Sequence, residues 1–140
     1  MTDFGHWTNI AKLPDPPYNF GFIYKITNLV LNKCYVGKKQ MTSIKKMPPL
    51  KGRKNKRHKE IETDWRVYTG SSNELNADIE KYGKHNFKFE IIMFCSSKWE
   101  LAYYEAKLQF ELDVLVSENF YNGIINCRIG KAPKSHIILE

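Results

Sequence analysis

The stretch GFIYKITNLVLNKCYVGKK, residues 21–39, decides the fold that we expect for this chain. Apolar and polar side chains alternate over residues 20–27, and this period of two predicts a β-strand. Residues 28–32 have the composition of a turn, and residues 33–38 return as a second strand. The stretch therefore predicts an antiparallel β-hairpin.

The hairpin carries one tyrosine in each arm, and its register decides whether the two phenols meet. One register of the hairpin pairs Asn28 with Lys33 across the turn. With this pairing, Tyr24 lies opposite Gly37, and Tyr35 shares the face of Tyr24 diagonally. A slip of one residue would put the two phenols on opposite faces, so their convergence depends on the register.

Length and composition indicate a single domain with one core, since 42% of the 140 residues are hydrophobic. No apolar run approaches the roughly 18 residues of a membrane span, and the amino terminus does not resemble a secretory signal. Cys34, Cys95 and Cys127 are odd in number and far apart, which argues against a disulfide framework and a structural zinc site. We therefore expect a soluble cytoplasmic protein with reduced thiols and no membrane partner.

Basic residues are concentrated in one segment of a chain whose formal net charge is +7. Residues 38–59, KKQMTSIKKMPPLKGRKNKRHK, contain ten lysines and arginines and no acidic residue. Such a segment attracts a polyanion, because each neutralised phosphate releases condensed counterions. The segment predicts nucleic-acid binding, although a solvated loop that only aids solubility would have the same composition.

Beyond the basic segment, the chain predicts a helix and then a strand. Apolar residues at helical spacing follow Ser72, and Gly83 is a plausible helix end. Residues 87–95, FKFEIIMFC, are nearly all apolar and predict a central strand buried on both faces. Residues 62–72, ETDWRVYTGSS, predict no regular element.

A second and longer helix is predicted over residues 98–116. Ser97 and Glu100 have the spacing of a capping box at its start. Four leucines at helical spacing mark the face that we expect to point inward: Leu101, Leu108, Leu112 and Leu115.

Glu105 lies on the same predicted inward face. An unpaired carboxylate there is costly, so it requires a cation, a basic partner or water. Metal binding and pairing with a lysine at the edge of the face are equally compatible with the pattern. Gln109 follows one helical turn later and could orient the carboxylate.

With these residues in place, the chain resembles the GIY-YIG nuclease superfamily. The resemblance runs from about residue 21 to residue 128. Within it, five segments are similar to small candidate endonucleases of tailed phages: YVGKKQ, KGRKNKRHK, DWRVYTGSS, YYEAKLQFELDVL and YNGIINCR. It rests on motif residues that occur in the family's order: Gly21, Phe22, Ile23, Tyr24, Tyr35, Val36, Gly37, Lys38, Glu105 and Asn122. It implies an α/β fold with a small, mainly antiparallel β-sheet flanked by helices, here with a basic insertion after the first hairpin.

The resemblance implies a role for each motif residue. Tyr24 or Tyr35 would be the general base for water, and the neighbouring charge of Lys38 would lower the pKa of the phenol. Glu105 would hold a divalent ion, Mg²⁺ or Mn²⁺, as the one protein carboxylate. Asn122 would position the end of the Glu105 helix or a water on the ion. Each residue also has an ordinary structural role, namely core packing for the tyrosines and turn formation before Gly123 for Asn122.

The family's arginine, often followed by a histidine one helical turn later, is displaced in this chain. Its usual position, shortly after the second tyrosine, falls near Lys45. We expect Arg57 with neighbouring His58 to take this role, with Arg53 or Arg66 as alternatives. Other basic side chains would contact the nucleic acid: Lys39, Lys45, Lys46, Lys51, Arg53, Lys54, Lys56 and Arg66.

We therefore expect a metal-dependent DNA endonuclease that nicks one strand at each active site, so that a double-strand break would need a homodimer or two nicks. A phage-encoded chain of this kind would act in the host cytoplasm. The expected organisation is an arm at 1–20, a nuclease domain at 21–130 with its basic insertion at 38–60, and a tail at 131–140. The alternative is a basic module that binds DNA or RNA without cutting it. A zinc hydrolase has little support, because no His, Cys and Asp cluster has ligand spacing.

Overall fold

The computed structural model describes residues 3–126 and 128–136. Five strands and two α-helices occur in chain order: β1 (Gly21–Asn28), β2 (Lys33–Gln40), β3 (Thr42–Met47), β4 (Arg57–Glu62), α1 (Asn73–Tyr82), β5 (Phe87–Cys95) and α2 (Lys98–Glu111). Short 3-10 turns occupy Lys84–Asn86 and Lys134–His136. Strands β2, β1 and β5 form an antiparallel sheet in that order, and β3 with β4 forms a separate two-stranded sheet. The predicted α/β class with a small antiparallel sheet is confirmed.

The first hairpin has the register that brings the two phenols together. Asn28 is paired with Lys33, and Tyr24 with Gly37. The side-chain oxygen of Asn28 accepts hydrogen bonds from the backbone N–H groups of Val30 and Leu31, at 2.9 and 3.2 Å, and these bonds close the turn. Because no slip occurs, the two phenols lie on one face of the sheet.

The central strand of the sheet is β1, not β5. Strand β5 pairs only with β1 and forms an edge. The prediction that residues 87–95 are buried on both faces is wrong, because Lys88 and Ile92 on one face are exposed. Phe87, Phe89 and Ile91 point into the core, whereas the next residue, Ile92, is exposed. Strand β1 is buried along most of its length because both of its faces are covered: Phe22, Tyr24 and Ile26 belong to one core cluster, and Ile23 packs in a second cluster with Leu101 of α2.

Both helices begin where their caps predict. The Ser72 hydroxyl accepts from the backbone N–H of Leu75, and Gly83 ends α1 with a positive φ of 88°. The Ser97 hydroxyl accepts from the N–H of Glu100 at 3.1 Å and so caps α2.

Helix α2 ends at Glu111, five residues before the predicted end at Val116. Asp113 has a φ of 53°, which no α-helix contains, and the chain turns there. As a result Leu112 and Leu115 are exposed, contrary to the predicted inward face, and Val114 is buried instead. The inward face of α2 is formed by Leu101, Ala106 and Gln109 together with the half-buried Leu108.

The amino-terminal segment, residues 3–19, contains no helix or strand but contributes to the core. Trp7 is buried, and its indole N–H donates to the carbonyl oxygen of Trp65 at 2.7 Å. The His6 ring stacks on Phe89, and the Asn9 side chain exchanges two hydrogen bonds with the backbone of Ile91. The expected arm is therefore packed along β5 and is part of the fold.

The basic insertion forms the β3–β4 hairpin, which we call the ribbon (residues 42–62). Its first strand has mostly exposed or half-exposed side chains, and every side chain of its second strand is exposed. The Thr63 N–H donates to the Met41 carbonyl, and the Thr63 hydroxyl donates to the Gln40 carbonyl. These two hydrogen bonds hold the base of the ribbon against the end of β2. The sequence predicted an insertion here but no strands.

The chain after α2 returns along β2. An isolated parallel bridge joins Cys34 to Phe120, and within the described residues no strand follows α2. Cys34 and Cys95 are free thiols, and Cys127 lies outside the described residues. Among the residues described, no helix has the length and apolar character needed to cross a membrane.

Candidate active site

A cavity of about 500 Å³ opens where β1 and β2 meet α2 and the chain that follows it. Five residues predicted for the site lie on its wall: Tyr24, Tyr35, Lys38, Glu105 and Asn122. Other residues complete the wall: Tyr68, Ser71, Ser72, Gln109, Tyr121, Gly123, Ile124 and Asn126. The hairpin, the helical glutamate and the late asparagine, which are far apart in sequence, therefore meet at one place.

Glu105 and Lys38 form the charged pair of the cavity. The Lys38 Nζ lies 3.9 Å from the Glu105 Oε1, and the glutamate side chain is only 14% exposed. Burial raises the pKa of the Glu105 carboxyl, and the charge and backbone of Lys38 act in the opposite direction. The lysine pairing that we considered is present, but at this distance it leaves the carboxylate oxygens available to another cation.

Gln109 does not orient Glu105, contrary to one interpretation of the helix pattern. Its side-chain N–H donates to the carbonyl oxygen of Val36 at 2.9 Å. The glutamine is buried and fastens α2 to β2, which fixes the height of Glu105 above the hairpin.

Three phenols form the opposite wall of the cavity. The Tyr24 ring centroid lies 6.2 Å from that of Tyr35 and 6.1 Å from that of Tyr68. Burial raises the pKa of all three hydroxyls, and the negative charge of Glu105 acts in the same direction. Tyr24 is almost fully buried, whereas the Tyr35 hydroxyl lies 3.3 Å from that of Ser71 in an exposed position.

Two glycines allow the Tyr24 ring to occupy its place. A Cβ at Gly37 would lie 2.5 Å from the Tyr24 hydroxyl oxygen, and one at Gly70 would lie 3.1 Å from it. Gly70 also has a φ of 84°, which disfavours any other residue. The pairing of tyrosine with glycine in this hairpin is thus a steric requirement of the cavity wall.

Asn122 binds the hairpin in the manner of a paired strand residue. Its side-chain oxygen accepts from the Val36 N–H at 3.1 Å, and its side-chain N–H donates to the Val36 carbonyl at 2.8 Å. The same carbonyl accepts from Gln109. Asn122 therefore holds β2 rather than the end of the Glu105 helix.

The structure does not bring the expected arginines or histidine to the cavity. Arg53 and Arg57 lie at the tip of the ribbon, where the Arg57 guanidinium donates to the Pro48 carbonyl, and His58 is exposed on β4. Arg66 pairs with Glu62 and Asp3. Within the described part of the chain, Lys38 is the one lysine or arginine on the cavity wall.

The other basic candidates also lie outside the cavity. Lys39 pairs with Asp64 at 2.7 Å and lies over the Tyr68 ring, and it holds the pKa of the Asp64 carboxyl below its usual value. The remaining candidates lie on the ribbon: Lys45, Lys46, Lys51, Arg53, Lys54 and Lys56.

Tyr68 and Ser71 were missed by the sequence reasoning. Both belong to residues 62–72, where no periodicity predicts an element. The available signal was Gly70 two residues before the helix cap Ser72, a combination that turns the chain sharply before α1.

The cavity has the donor chemistry of a sparsely ligated divalent ion. No group of three or more His, Cys, Asp or Glu side chains that could hold a metal occurs among residues 3–126 and 128–136. Glu105 is the one carboxylate on the described wall, and phenol and amide oxygens surround it. Mg²⁺ is commonly bound by one or two carboxylates, with water and substrate phosphate at its other positions, so the donor set fits this ion.

A small antiparallel sheet, with two hairpin tyrosines and a helical glutamate on one cavity, is the arrangement expected of a GIY-YIG nuclease. The family model described as "Putative endonuclease segE, GIY-YIG domain" matches residues 7–125. Because this match spans most of the 140 residues, the chain belongs to the GIY-YIG family, as the resemblance predicted.

A relative in Enterobacteria phage T4, "Putative endonuclease segD", is 33% identical to this chain over 106 residues. The alignment covers 76% of this chain but 38% of the relative. The chain thus spans well under half the length of that phage protein. No solved structure matches the chain.

Proposed function

We propose that this protein is a DNA endonuclease that hydrolyses phosphodiester bonds at the cavity between the first hairpin and α2, with a divalent ion. The observation that carries the proposal is the convergence of Tyr35, Lys38 and Glu105 on one cavity wall. A protein that only bound nucleic acid would gain nothing from a half-buried carboxylate beside the phosphate.

Glu105 would hold the ion, Mg²⁺ or Mn²⁺. When bound, such an ion stabilises negative charge on the phosphoryl group and activates water. Lys38 would hold a non-bridging phosphate oxygen and also fix the Glu105 carboxylate through their ion pair. Because Arg57 and His58 are remote from the wall, we assign the catalytic cation to Lys38 and give Arg57 a role in DNA binding.

Tyr35 is the better candidate of the two hairpin tyrosines for the general base. Tyr24 is only 1% exposed, and the backbones of Gly37 and Gly70 lie close to its hydroxyl. The Tyr35 hydroxyl reaches the open side of the cavity beside Ser71. We assign Tyr24 to packing and Tyr35 to removal of the proton from the attacking water.

Tyr35→Phe is expected to lower the nicking rate by about 100-fold or more, which is the contribution typical of a general base. Burial raises the pKa of Tyr35, so the reactive phenolate is scarce at neutral pH and increases as pH rises. The logarithm of the wild-type rate should therefore climb with pH into the alkaline range, and the variant should lose this slope.

The control for that experiment is Tyr103→Phe, since Tyr103 lies on α2 outside the catalytic cavity. Its rate and pH profile should match those of the wild type. A Tyr35→Phe variant that kept the wild-type slope would assign the titrating group elsewhere.

A time course on supercoiled plasmid DNA tests whether one site cuts one strand. With Mg²⁺, open-circular DNA should accumulate first and linear DNA later, because the proposed site holds one scissile phosphate. EDTA should stop both steps. Linear DNA appearing at once would instead support a homodimer that cuts both strands together, and binding without cutting on plain and branched DNA would favour the basic module.

A further inference from the structure

The β-ladder of the ribbon sorts its side chains into two faces. Partners across an antiparallel pair lie on one face, and successive residues alternate between faces. The register therefore gives one face the pairs Ser43 with Ile61, Lys45 with Lys59, and Met47 with Arg57. The other face has the pairs Thr42 with Glu62, Ile44 with Glu60, and Lys46 with His58.

The two faces differ in charge although the ribbon as a whole is basic. The first face has three permanent cations and no acid, and we call it the Lys45 face. The second face has one lysine, one histidine and both of the ribbon's acids.

Lys45 and Lys59 are direct cross-strand partners. Like charges in this position oppose each other and destabilise a two-stranded sheet. Neither lysine forms an ion pair with any described residue, so no acid of the described chain relieves the repulsion. An anion bound between the two strands would relieve it.

The second face turns toward the body of the protein at the base of the ribbon. Glu62 accepts a hydrogen bond from the Trp65 indole and pairs with Arg66. Thr42 and Glu62 also share a recess with Leu13 of the amino-terminal segment. The Lys45 face therefore points away from these contacts and is free to meet a partner.

We propose that the Lys45 face of the ribbon docks on duplex DNA and holds the substrate of the proposed nuclease. Duplex DNA is the occupant that the charge separation favours, because it presents phosphates on both sides of a groove. A two-stranded ribbon also has the width that the major groove of B-DNA admits. The inference rests on the proposed function only in calling this DNA the substrate.

The test is duplex binding by the full chain in EDTA, followed by fluorescence anisotropy as the salt concentration rises from about 50 to 200 mM. Lys45→Gln with Lys59→Gln should weaken binding about tenfold or more and reduce the slope of log K against log salt by about 1.8, or 0.9 for each lost phosphate contact. The matched comparison is Lys46→Gln with His58→Gln on the second face, which should reduce the slope by clearly less, because Glu60 and Glu62 share that face.

Lys45→Glu separates DNA contact from folding. This substitution replaces the opposed lysines with a Glu and Lys cross-strand pair, so the melting temperature should hold or rise. DNA affinity should nevertheless fall about as far as in the double Gln variant, because both changes lower the charge of the Lys45 face by two. If the variants of both faces reduced the slope of log K against log salt equally, or if neither reduced it, the assignment of the docking face would be overturned.

The outcomes for the docking face and for the nuclease are distinguishable. A contrast between the two faces with no cleavage under any divalent ion would retain the docking face and refute the proposed activity. Metal-dependent cleavage without that contrast would support the proposed activity and refute the docking face.

Discussion

Glu105→Gln is expected to reduce the nicking rate by about 10³-fold or more, the effect of removing a group that stabilises charge in the transition state. Glutamine keeps the size of the side chain but loses the charge that would hold a divalent ion and pair with Lys38. DNA binding should remain or improve, because a negative charge near the phosphate is lost. The variant should therefore bind and fail to cut.

The same substitution should stabilise the fold. Burial raises the pKa of Glu105, so the folded-state pKa lies above that of the unfolded chain. When the pKa of a carboxyl is higher in the folded protein, the protein loses stability as the pH rises from the unfolded-state pKa through the folded-state pKa. At neutral pH the ionised Glu105 side chain therefore lowers the free energy of unfolding. Glu105→Gln removes this cost and should raise the melting temperature at neutral pH.

Single-turnover cleavage, anisotropy and thermal melting of one preparation measure the three effects. Glu111→Gln is the matched control, since Glu111 is exposed at the end of the same helix and should change none of them. Lower stability together with lower activity would show that Glu105 is a structural residue. Activity within about tenfold of wild type would remove it from the mechanism.

Trp7→Ala is expected to cost about 3–5 kcal/mol of the free energy of unfolding, as other buried tryptophans do when truncated. Trp7 is only 3% exposed and packs edge-on against Phe22, with its ring centroid 5.4 Å from that of Tyr24. The substitution also leaves the Trp65 carbonyl without its indole donor. The cost is comparable with the whole stability of many domains, so part of the protein should be unfolded.

Urea denaturation followed by circular dichroism measures the cost of Trp7→Ala. Tyr18→Ala in the same segment is the control, because Tyr18 is exposed and should change stability by less than about 0.5 kcal/mol. A cost below about 1 kcal/mol for Trp7→Ala would mean that the amino-terminal segment does not form part of the core.

The parts of the fold that sequence predicted are those in which local signals agree. The Asn28 turn fixes the hairpin register, and the period of two keeps Tyr24 and Tyr35 on one face. Ser72 and Ser97 are strong helix starts, because their hydroxyls satisfy backbone N–H groups that the helix leaves unpaired. Glu105 was identifiable because a carboxylate interrupts an otherwise apolar helix face.

The parts that sequence did not predict depend on tertiary contacts. The ribbon is exposed on both faces, so burial imposes no hydrophobic alternation on residues 42–62. The edge position of β5 follows from which strands pair, and an apolar sequence alone does not reveal this. Arg57 was chosen for the displaced arginine because it lies in the basic segment, and the ribbon carries it away from the cavity.

Plasmid nicking by wild type and Glu105→Gln, at protein concentrations that saturate the DNA and with either Mg²⁺ or EDTA, tests the central claim most directly. We expect wild type with Mg²⁺ to convert supercoiled plasmid to open-circular DNA, and we expect the plasmid to remain supercoiled in the other three reactions. Nicking by Glu105→Gln at the wild-type rate, or wild-type nicking that persists in EDTA, would contradict a metal-dependent nuclease site at this cavity.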